Sequence, residues 1–233
     1  MICIIIPTYN EKENIFKLVD KINKLKLKAK IIIVDDSKDQ IPSISKMKNV
    51  SYIFRGKKLG RGSAVLFGLK NEIKNLSNKI FIEMDADFSH NPNELKRNLK
   101  YFKKKKLNFL ISSRYLNDSK IINWPLSRHL LSKFSNILAR MLLGVPIKDY
   151  TNGYRIYDRL SAKHILKNCS PNLGGFIILS EIALELHKNN FRIGEINTIF
   201  VNRVRGDSKA SFKEIINAFF GIWKIFVIKR LFS

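Results

Sequence analysis

Ile2-Cys3-Ile4-Ile5-Ile6-Pro7-Thr8-Tyr9-Asn10-Glu11 and, further on, Ile31-Ile32-Ile33-Val34-Asp35-Asp36-Ser37 decide the fold. Each is a continuous apolar run that turns polar at once, the pattern of a strand buried on both faces rather than of a half-exposed, alternating one. Between them, Asn10-Glu11-Lys12-Glu13 has the spacing of a helix N-cap with an acidic N3 partner, and predicts a helix to about Lys24. A strand–helix–strand unit of this kind makes two adjacent parallel strands. It puts Thr8, Tyr9, Glu11, Asp35 and Asp36 at their carboxyl ends, the edge at which open α/β sheets bind ligands.

The same rhythm continues. Val50 to Phe54 reads as a third strand, Lys57-Lys58-Leu59-Gly60-Arg61-Gly62-Ser63-Ala64 opens a helix to about Glu72, and Phe81–Met84 and Phe109–Ser112 read as the fourth and fifth strands. Strands alternating with helices imply a mostly parallel sheet covered on both faces. Glycines 60 and 62 ahead of a helix suit backbone N–H contacts to a phosphate, and equally suit mere turn punctuation. Met84-Asp85-Ala86-Asp87 closes the fourth strand. Side chains one residue apart on a strand project the same way, so the two carboxylates can share one hard cation. Oxygen ligands suit Mg²⁺ or Mn²⁺, whose shell a diphosphate would complete. Taken alone, such a short motif also fits two solvated loop aspartates.

Composition bounds the rest. A chain of 233 residues, 45% hydrophobic, can bury a sizeable core in one large domain. Cys3 and Cys169 are too few for a disulfide framework, and the N-terminal apolar run lacks the basic flank and length of a signal peptide. The formal charge of +24 fits an anionic leaflet, where each nearby basic residue contributes about 1 kcal/mol. A basic nucleic-acid-binding protein is the alternative from another class. The chain carries no helix-turn-helix, zinc or RNA-recognition signature, and its charge is dispersed, which argues against nucleic acid.

Two stretches are candidates for a membrane surface. Residues 211–233 crowd Phe212, Ile215, Ile216, Phe219, Phe220, Ile222, Trp223, Ile225, Phe226 and Ile228 among lysines, yet fall short of the ~20 apolar residues of a span. They are expected to form an amphipathic interfacial helix appended to a catalytic domain of residues 1–210; a helix packed on the core or a self-association surface is the alternative. Trp124 to Leu143 has apolar residues at helical spacing, fitting either a cradle for a lipid tail or an ordinary buried helix.

Seven motifs now stand in order: Pro7-Thr8-Tyr9-Asn10-Glu11, Val34-Asp35-Asp36-Ser37, Lys58-Leu59-Gly60-Arg61-Gly62-Ser63-Ala64, Met84-Asp85-Ala86-Asp87-Phe88-Ser89-His90-Asn91-Pro92, Ser113-Arg114-Tyr115, Asp149-Tyr150-Thr151-Asn152-Gly153-Tyr154-Arg155 and Arg203-Val204-Arg205-Gly206-Asp207-Ser208-Lys209. In order and spacing they resemble the family 2 inverting glycosyltransferases of the dolichyl-phosphate mannose synthase group. The resemblance implies an α/β GT-A fold and a nucleotide-sugar donor bound with Mg²⁺ or Mn²⁺. It also implies transfer of one hexose to a polyprenyl phosphate at a membrane face; the two cysteines, too few for a disulfide framework, make a reducing setting and so the cytoplasmic face the expectation. It places Pro7, Thr8, Tyr9, Glu11, Asp36, Lys58, Gly60, Asp85 and Ala86 around the donor nucleotide, and Asp85, Asp87 and Ser89 at the metal. Arg114, Arg128, Ser132, Arg203 and Lys209 fall to the acceptor phosphate, with Asp87 and Arg114 as the catalytic pair. GDP-mannose is the expected donor; a UDP-sugar such as UDP-glucose is the alternative, because no residue reads the base unambiguously. The chain departs from the usual pattern at Arg61, where leucine is frequent, at Ser89, where glutamine is, and at Asn152, where serine or glycine is. It also lacks the Gln-x-x-Arg-Trp of processive members, which favours single transfer.

The implied chemistry needs few side chains. A hydroxyl acceptor calls for a general base. A phosphate, with a second pKa of about 6, is already an anion at neutral pH and calls only for charge stabilisation and a cationic clamp. Arginine suits forked contacts with phosphate oxygens. His129, His164 and His187 are read as structural or surface residues, His90 as a neighbour of the site without an assigned role, and Glu181 as a further site candidate.

Overall fold

A computed structural model describes residues 1–170, 177–202 and 220–227. A seven-stranded sheet runs in the order β3-β2-β1-β4-β7-β5-β8. Its strands are β1 (Ile2–Thr8), β2 (Ala29–Asp35), β3 (Val50–Phe54), β4 (Ile80–Glu83), β5 (Phe109–Ser113), β7 (Arg155–Asp158) and β8 (Ile193–Asn197). Neighbours are parallel except at β7, which is antiparallel to both β4 and β5. A small parallel pair, β6 (Lys120–Ile122) with β9 (Ile199–Val201), lies outside this sheet.

The continuous apolar runs have a simple cause: alternate residues of β1 and β2 serve two different layers. Cys3, Ile5, Ile32 and Val34 join the core beneath α2 (Arg61–Glu72), α5 (Arg159–Asn168) and α6 (Ile177–Lys188), while Ile4, Ile6, Ile31 and Ile33 join the core beneath α1 (Lys12–Lys24) and α3 (Leu95–Lys104). Cys3 is fully buried and burial raises its thiol pKa, so it acts as a small apolar side chain. Registering Thr8 against Asp35 and Ile5 against Glu83 lines up the carboxyl ends of β2, β1 and β4.

Three expectations are modified. Asn10 is not the cap of α1. It takes a left-handed φ of 58° and its N–H donates to Ser37 Oγ at 2.8 Å, while Glu11 occupies the cap position and its carboxylate accepts from the Asn14 side chain at 2.7 Å. Asparagine tolerates that conformation because its side chain is short and polar. Second, α4 (Leu126–Leu143) is no ordinary buried helix: it buries only Asn136, Ala139 and Leu143 and exposes Leu126, Leu130, Phe134, Ile137 and Met141. Third, within 211–233 only residues 220–227 are described. Residues 220–226 are helical, with Ile222 and Ile225 buried in the α5–α6 core and Phe220 and Trp223 exposed. That part packs on the domain, and the rest of the expected interfacial helix lies outside the described residues, as do Arg203 and Lys209. No described helix is long and apolar enough to cross a membrane.

Candidate active site

A cavity of about 340 Å³ opens where β1, β2 and β4 end. The end of β1 supplies Pro7, Thr8, Tyr9 and Glu11; the turn after β2 supplies Asp36; the loop into α2 supplies Lys58, Gly60 and Arg61. Asp85, Ala86, Asp87, Ser89 and His90 follow β4, Arg114 follows β5 and Arg128 comes from α4. The structure thus brings together every residue the sequence assigned to the donor and the metal, and two of the acceptor candidates. Ser132 is not in this wall; its hydroxyl is 2.7 Å from the Tyr115 hydroxyl, a layer back.

Donor-side residues divide into those facing the cavity and those shaping it. Lys58 Nζ sits 4.7 Å over the Tyr9 ring, and both stay accessible. Thr8 Oγ1 is buried with no hydrogen-bond partner, a polar atom prepared for a ligand on a site wall. Asp36, by contrast, spends its carboxylate inside the protein. It takes a forked pair from Arg55 at 2.6 and 2.8 Å and the backbone N–H groups of Leu59 and Gly60 at 2.8 and 3.0 Å. It therefore sets the glycine loop, in which Gly60 adopts φ 92°, before α2 begins.

The carboxylates after β4 are differently engaged. Asp87 Oδ1 accepts the Ser89 N–H at 3.0 Å, an Asx turn that holds both residues in the cavity wall. Asp85 Oδ1 accepts from Arg61 Nε at 2.7 Å, and its side chain is 27% exposed. Arg61 Nη2 donates to the Gly153 carbonyl at 2.9 Å. Burial alone would raise the Asp85 carboxyl; Arg61, by charge and hydrogen bond, together with weaker contributions from other neighbours, outweighs burial and holds the group below the usual carboxylate range. Glu83, 3.8 Å from both Arg61 and Arg155, is raised by burial, since neither guanidinium reaches bonding distance. His90 lies beneath, 1% exposed and stacked on Tyr154. Its Nδ1 accepts the Asp85 N–H at 3.0 Å, which puts the ring proton on Nε2, 2.9 Å from Asn152 Oδ1. Burial lowers the His90 pKa, keeping the ring neutral, so it positions Asp85 and is not placed to act as a base. Asn152 also donates to the Ser112 carbonyl. Asp87 on the wall and an all-oxygen donor set fit Mg²⁺ or Mn²⁺. Among the described residues, no group of three or more His, Cys, Asp or Glu could hold a metal, so phosphate oxygens would have to complete the shell.

Arg114 enters from the other side. Its Nε and Nη2 donate to the two oxygens of Asp149, each at 2.8 Å, and Nη2 also reaches Thr151 Oγ1 at 2.6 Å. The guanidinium sits 5.2 Å from the Trp124 ring and 5.3 Å from the Phe200 ring. Burial would raise Asp149 and lower Arg114; the pair reverses both, Asp149 going down and Arg114 up. Arg128 lies 4.5 Å over Trp124, and its Nη1 donates to Asn202 Oδ1 at 2.9 Å. A second cavity of about 350 Å³ shares Arg114 and adds Lys133, Arg140 and Lys148, with no carboxylate in its wall.

A family model, "Glycosyl transferase family 2", matches residues 3–166. The chain belongs to that family. Among relatives of this glycosyltransferase, "Polyprenol monophosphomannose synthase" of Mycolicibacterium smegmatis is 33% identical over 227 residues, covering 94% of this chain and 84% of the relative. "Dolichol-phosphate mannosyltransferase" of Pyrococcus furiosus is 32% identical over 233 residues; the match covers 96% of this chain but 63% of that longer relative. Glucosyl-3-phosphoglycerate synthase from Mycobacterium tuberculosis, solved with Mn²⁺, UDP and glucosyl-3-phosphoglycerate, superimposes with a TM-score of 0.68 at 15% identity, covering 97% of this chain and 79% of that one. At that identity the likeness concerns the fold, and it agrees with the GT-A architecture. In this family 2 glycosyltransferase, Glu181 lies in α6, accepts the Ser170 N–H at 3.1 Å and is absent from the cavity wall. Asp149, Asn152 and Gly153, which the sequence offered as a motif without roles, prove to be the struts behind Arg114, His90 and Arg61.

Proposed function

We propose that this chain transfers mannose from GDP-mannose, with inversion, to a polyprenyl phosphate at the cytoplasmic face of a membrane. One observation carries the reading: Arg114 and Arg128 stand in the wall of the same cavity as Asp85 and Asp87, and Arg128 comes from the helix that exposes Leu126, Leu130, Phe134, Ile137 and Met141. A cationic station reached from an apolar surface suits an acceptor with an anionic head and a hydrocarbon tail. The names of the two relatives support both mannose and a polyprenyl acceptor.

The division of labour follows from the geometry. Asp85 and Asp87, with Ser89 beside them, would hold Mg²⁺ or Mn²⁺, which when bound offsets the charge left on the departing nucleoside diphosphate. Lys58 and Tyr9, with Thr8 Oγ1 beneath, line the donor side. Asp149 fixes the plane of Arg114, so its charge is preorganised before the acceptor phosphate arrives. The phosphate attacks as an anion and calls for no base; Asp149 is bonded to Arg114, and His90 is neutral with both ring nitrogens bonded. Membrane attachment is assigned to the α4 stripe together with the 211–233 segment, appended to a catalytic domain of residues 1–210, with Arg203 and Lys209 supplying further acceptor contacts.

The test is a panel of GDP-mannose, GDP-glucose, UDP-glucose and UDP-galactose against a short polyprenyl phosphate, the matching polyprenol and free sugars. The expected product is a lipid-phosphate mannoside formed only from GDP-mannose and the phosphate. Preference for the alcohol or a sugar hydroxyl would remove the base-free mechanism; preference for a UDP-sugar would change the donor and leave the acceptor assignment standing.

A further inference from the structure

The first residue of α2, Arg61, sets a cation against one of the two carboxylates that would hold the metal. Arg61 Nε is 2.7 Å from Asp85 Oδ1, closer than any other cation to that carboxylate among the described residues. Its Nη2 is tied to the Gly153 carbonyl, while Nη1 is buried, unpartnered and 3.8 Å from Glu83 Oε2. The seat is built to receive it: a Cβ on Gly153 would fall 1.8 Å from Arg61 Nη2 and 2.3 Å from Cζ. Gly153 is not in the left-handed region, so what demands glycine there is the guanidinium and not the backbone. His90 completes the socket from below, its neutral ring accepting the Asp85 N–H and leaving Arg61 as the cation against the Asp85 side chain. Among the described residues Asp87 has no cation within ion-pair distance; it accepts from the Ser89 backbone N–H.

We propose that Arg61 is a resident counter-cation that competes with the divalent ion for Asp85, so that the metal binds the free protein through Asp87 and gains Asp85 only together with the donor's diphosphate. This rests on the metal-dependent reading above. With the Arg61 guanidinium fixed 2.7 Å from Asp85 Oδ1, a divalent ion at the same carboxylate would stand beside a resident positive charge, so the two cations compete electrostatically for it. In the free protein the guanidinium is already seated at no cost in ordering. When a diphosphate arrives it brings its own oxygens to the metal and a second anion for Arg61, which relieves the competition. The consequence is ordered entry: nucleotide and metal together rather than metal first.

The probe is Mn²⁺ alone, titrated into the full chain and followed by the electron paramagnetic resonance of free Mn²⁺, then repeated with GDP present. Wild type is expected to bind Mn²⁺ weakly without GDP. Arg61→Leu should bind it about tenfold more tightly or better, the scale of one charge-assisted hydrogen bond. Gly153→Ala, which evicts the guanidinium without removing it, should move affinity the same way, and adding Asp85→Asn to Arg61→Leu should cancel the gain. Asp85→Asn in the wild-type background preserves shape and charge-neutral bonding to Arg61, so it should change Mn²⁺ affinity by no more than about threefold, whereas Asp87→Asn should abolish it. Loss of free-protein Mn²⁺ binding in Asp85→Asn, or folded Arg61→Leu and Gly153→Ala proteins that bind no more tightly than wild type, would overturn the proposal while leaving metal dependence intact. Failure of wild type to bind Mn²⁺ even with GDP would overturn both.

Discussion

Replacing Asp149 by asparagine tests how Arg114 is held. Asp149 is fully buried and accepts from Arg114 at three atoms, N at 2.9 Å and Nε and Nη2 at 2.8 Å, as well as from the N–H groups of Thr151 at 3.2 Å and Asn152 at 3.0 Å. Every neighbour is a donor. Whichever way an amide is turned, its NH₂ must face donors: Arg114 N and Nε on one side, or Arg114 Nη2 and the two loop N–H groups on the other. The variant also leaves the Arg114 charge, whose side chain is 5% exposed, without its counter-ion. Breaking a buried pair from one side costs about 3–5 kcal/mol, a large part of a typical domain stability of about 5–15 kcal/mol. With a urea dependence of about 3 kcal/mol per molar, the unfolding midpoint followed by circular dichroism should fall by about 1 M or more. Asp149→Leu combined with Arg114→Met should recover much of that loss, because both charges leave together. The sign with pH is determined by the lowered carboxyl. Its folded pKa lies below the ordinary 3.8, so its contribution is complete above that value and is lost as pH falls through the folded pKa. The gap between wild type and Asp149→Asn should therefore be flat from neutral pH down to about 4 and close only below it. A loss under about 1 kcal/mol at pH 7, in a protein that keeps its near-ultraviolet spectrum, would refute the claim that this pair organises Arg114.

Asp87→Ala should abolish transfer while leaving thermal unfolding nearly unchanged, and chelation of wild type should do the same; full turnover in EDTA would remove the metal from the reaction. Arg128→Ala should cost about 3 kcal/mol in kcat/KM for the polyprenyl phosphate, while calorimetric affinity for GDP with Mn²⁺ stays near wild type; an equal loss in both would place Arg128 on the donor instead. Leu130→Glu with Phe134→Glu, both exposed on α4, should release the protein from anionic vesicles without lowering its urea midpoint, and unchanged co-sedimentation would move the attachment surface elsewhere. Asp36→Asn should lower donor affinity by loosening residues 59–60, read as a rise in donor KM without a matching change in acceptor KM.

β1 and β2 were legible because each serves two core layers and so carries an unbroken apolar run. β7 was not. Arg155-Ile156-Tyr157-Asp158 has a charge at each end, and it becomes a central strand only through antiparallel pairing with β4 and β5. Arg155 is fully buried because the carbonyls of Tyr150, Asn152 and Leu179 solvate its guanidinium, an arrangement that composition cannot announce. In the site, side-chain types at strand ends were enough to collect the cavity wall. Their partners were not, since these come from far along the chain: Asp149 stands 35 residues from Arg114, and Gly153 stands 92 from Arg61. Ser132 shows the converse. A helical position next to the cavity was readable, but the direction of its hydroxyl, toward Tyr115, depends on how α4 sits.

The seat at Gly153 also constrains how such a protein can change by mutation. While Arg61 is present, any side chain at 153 displaces the guanidinium from its seat, so the replacement also removes the Arg61 contacts to Asp85 and to the 153 carbonyl. Once position 61 has become leucine, the same glycine is free to drift, because its backbone suits any residue. The cost of replacing Gly153 therefore depends on what stands at 61: with arginine it includes the contacts to Asp85 and to the 153 carbonyl, and with leucine it includes neither, so the two substitutions are coupled rather than additive.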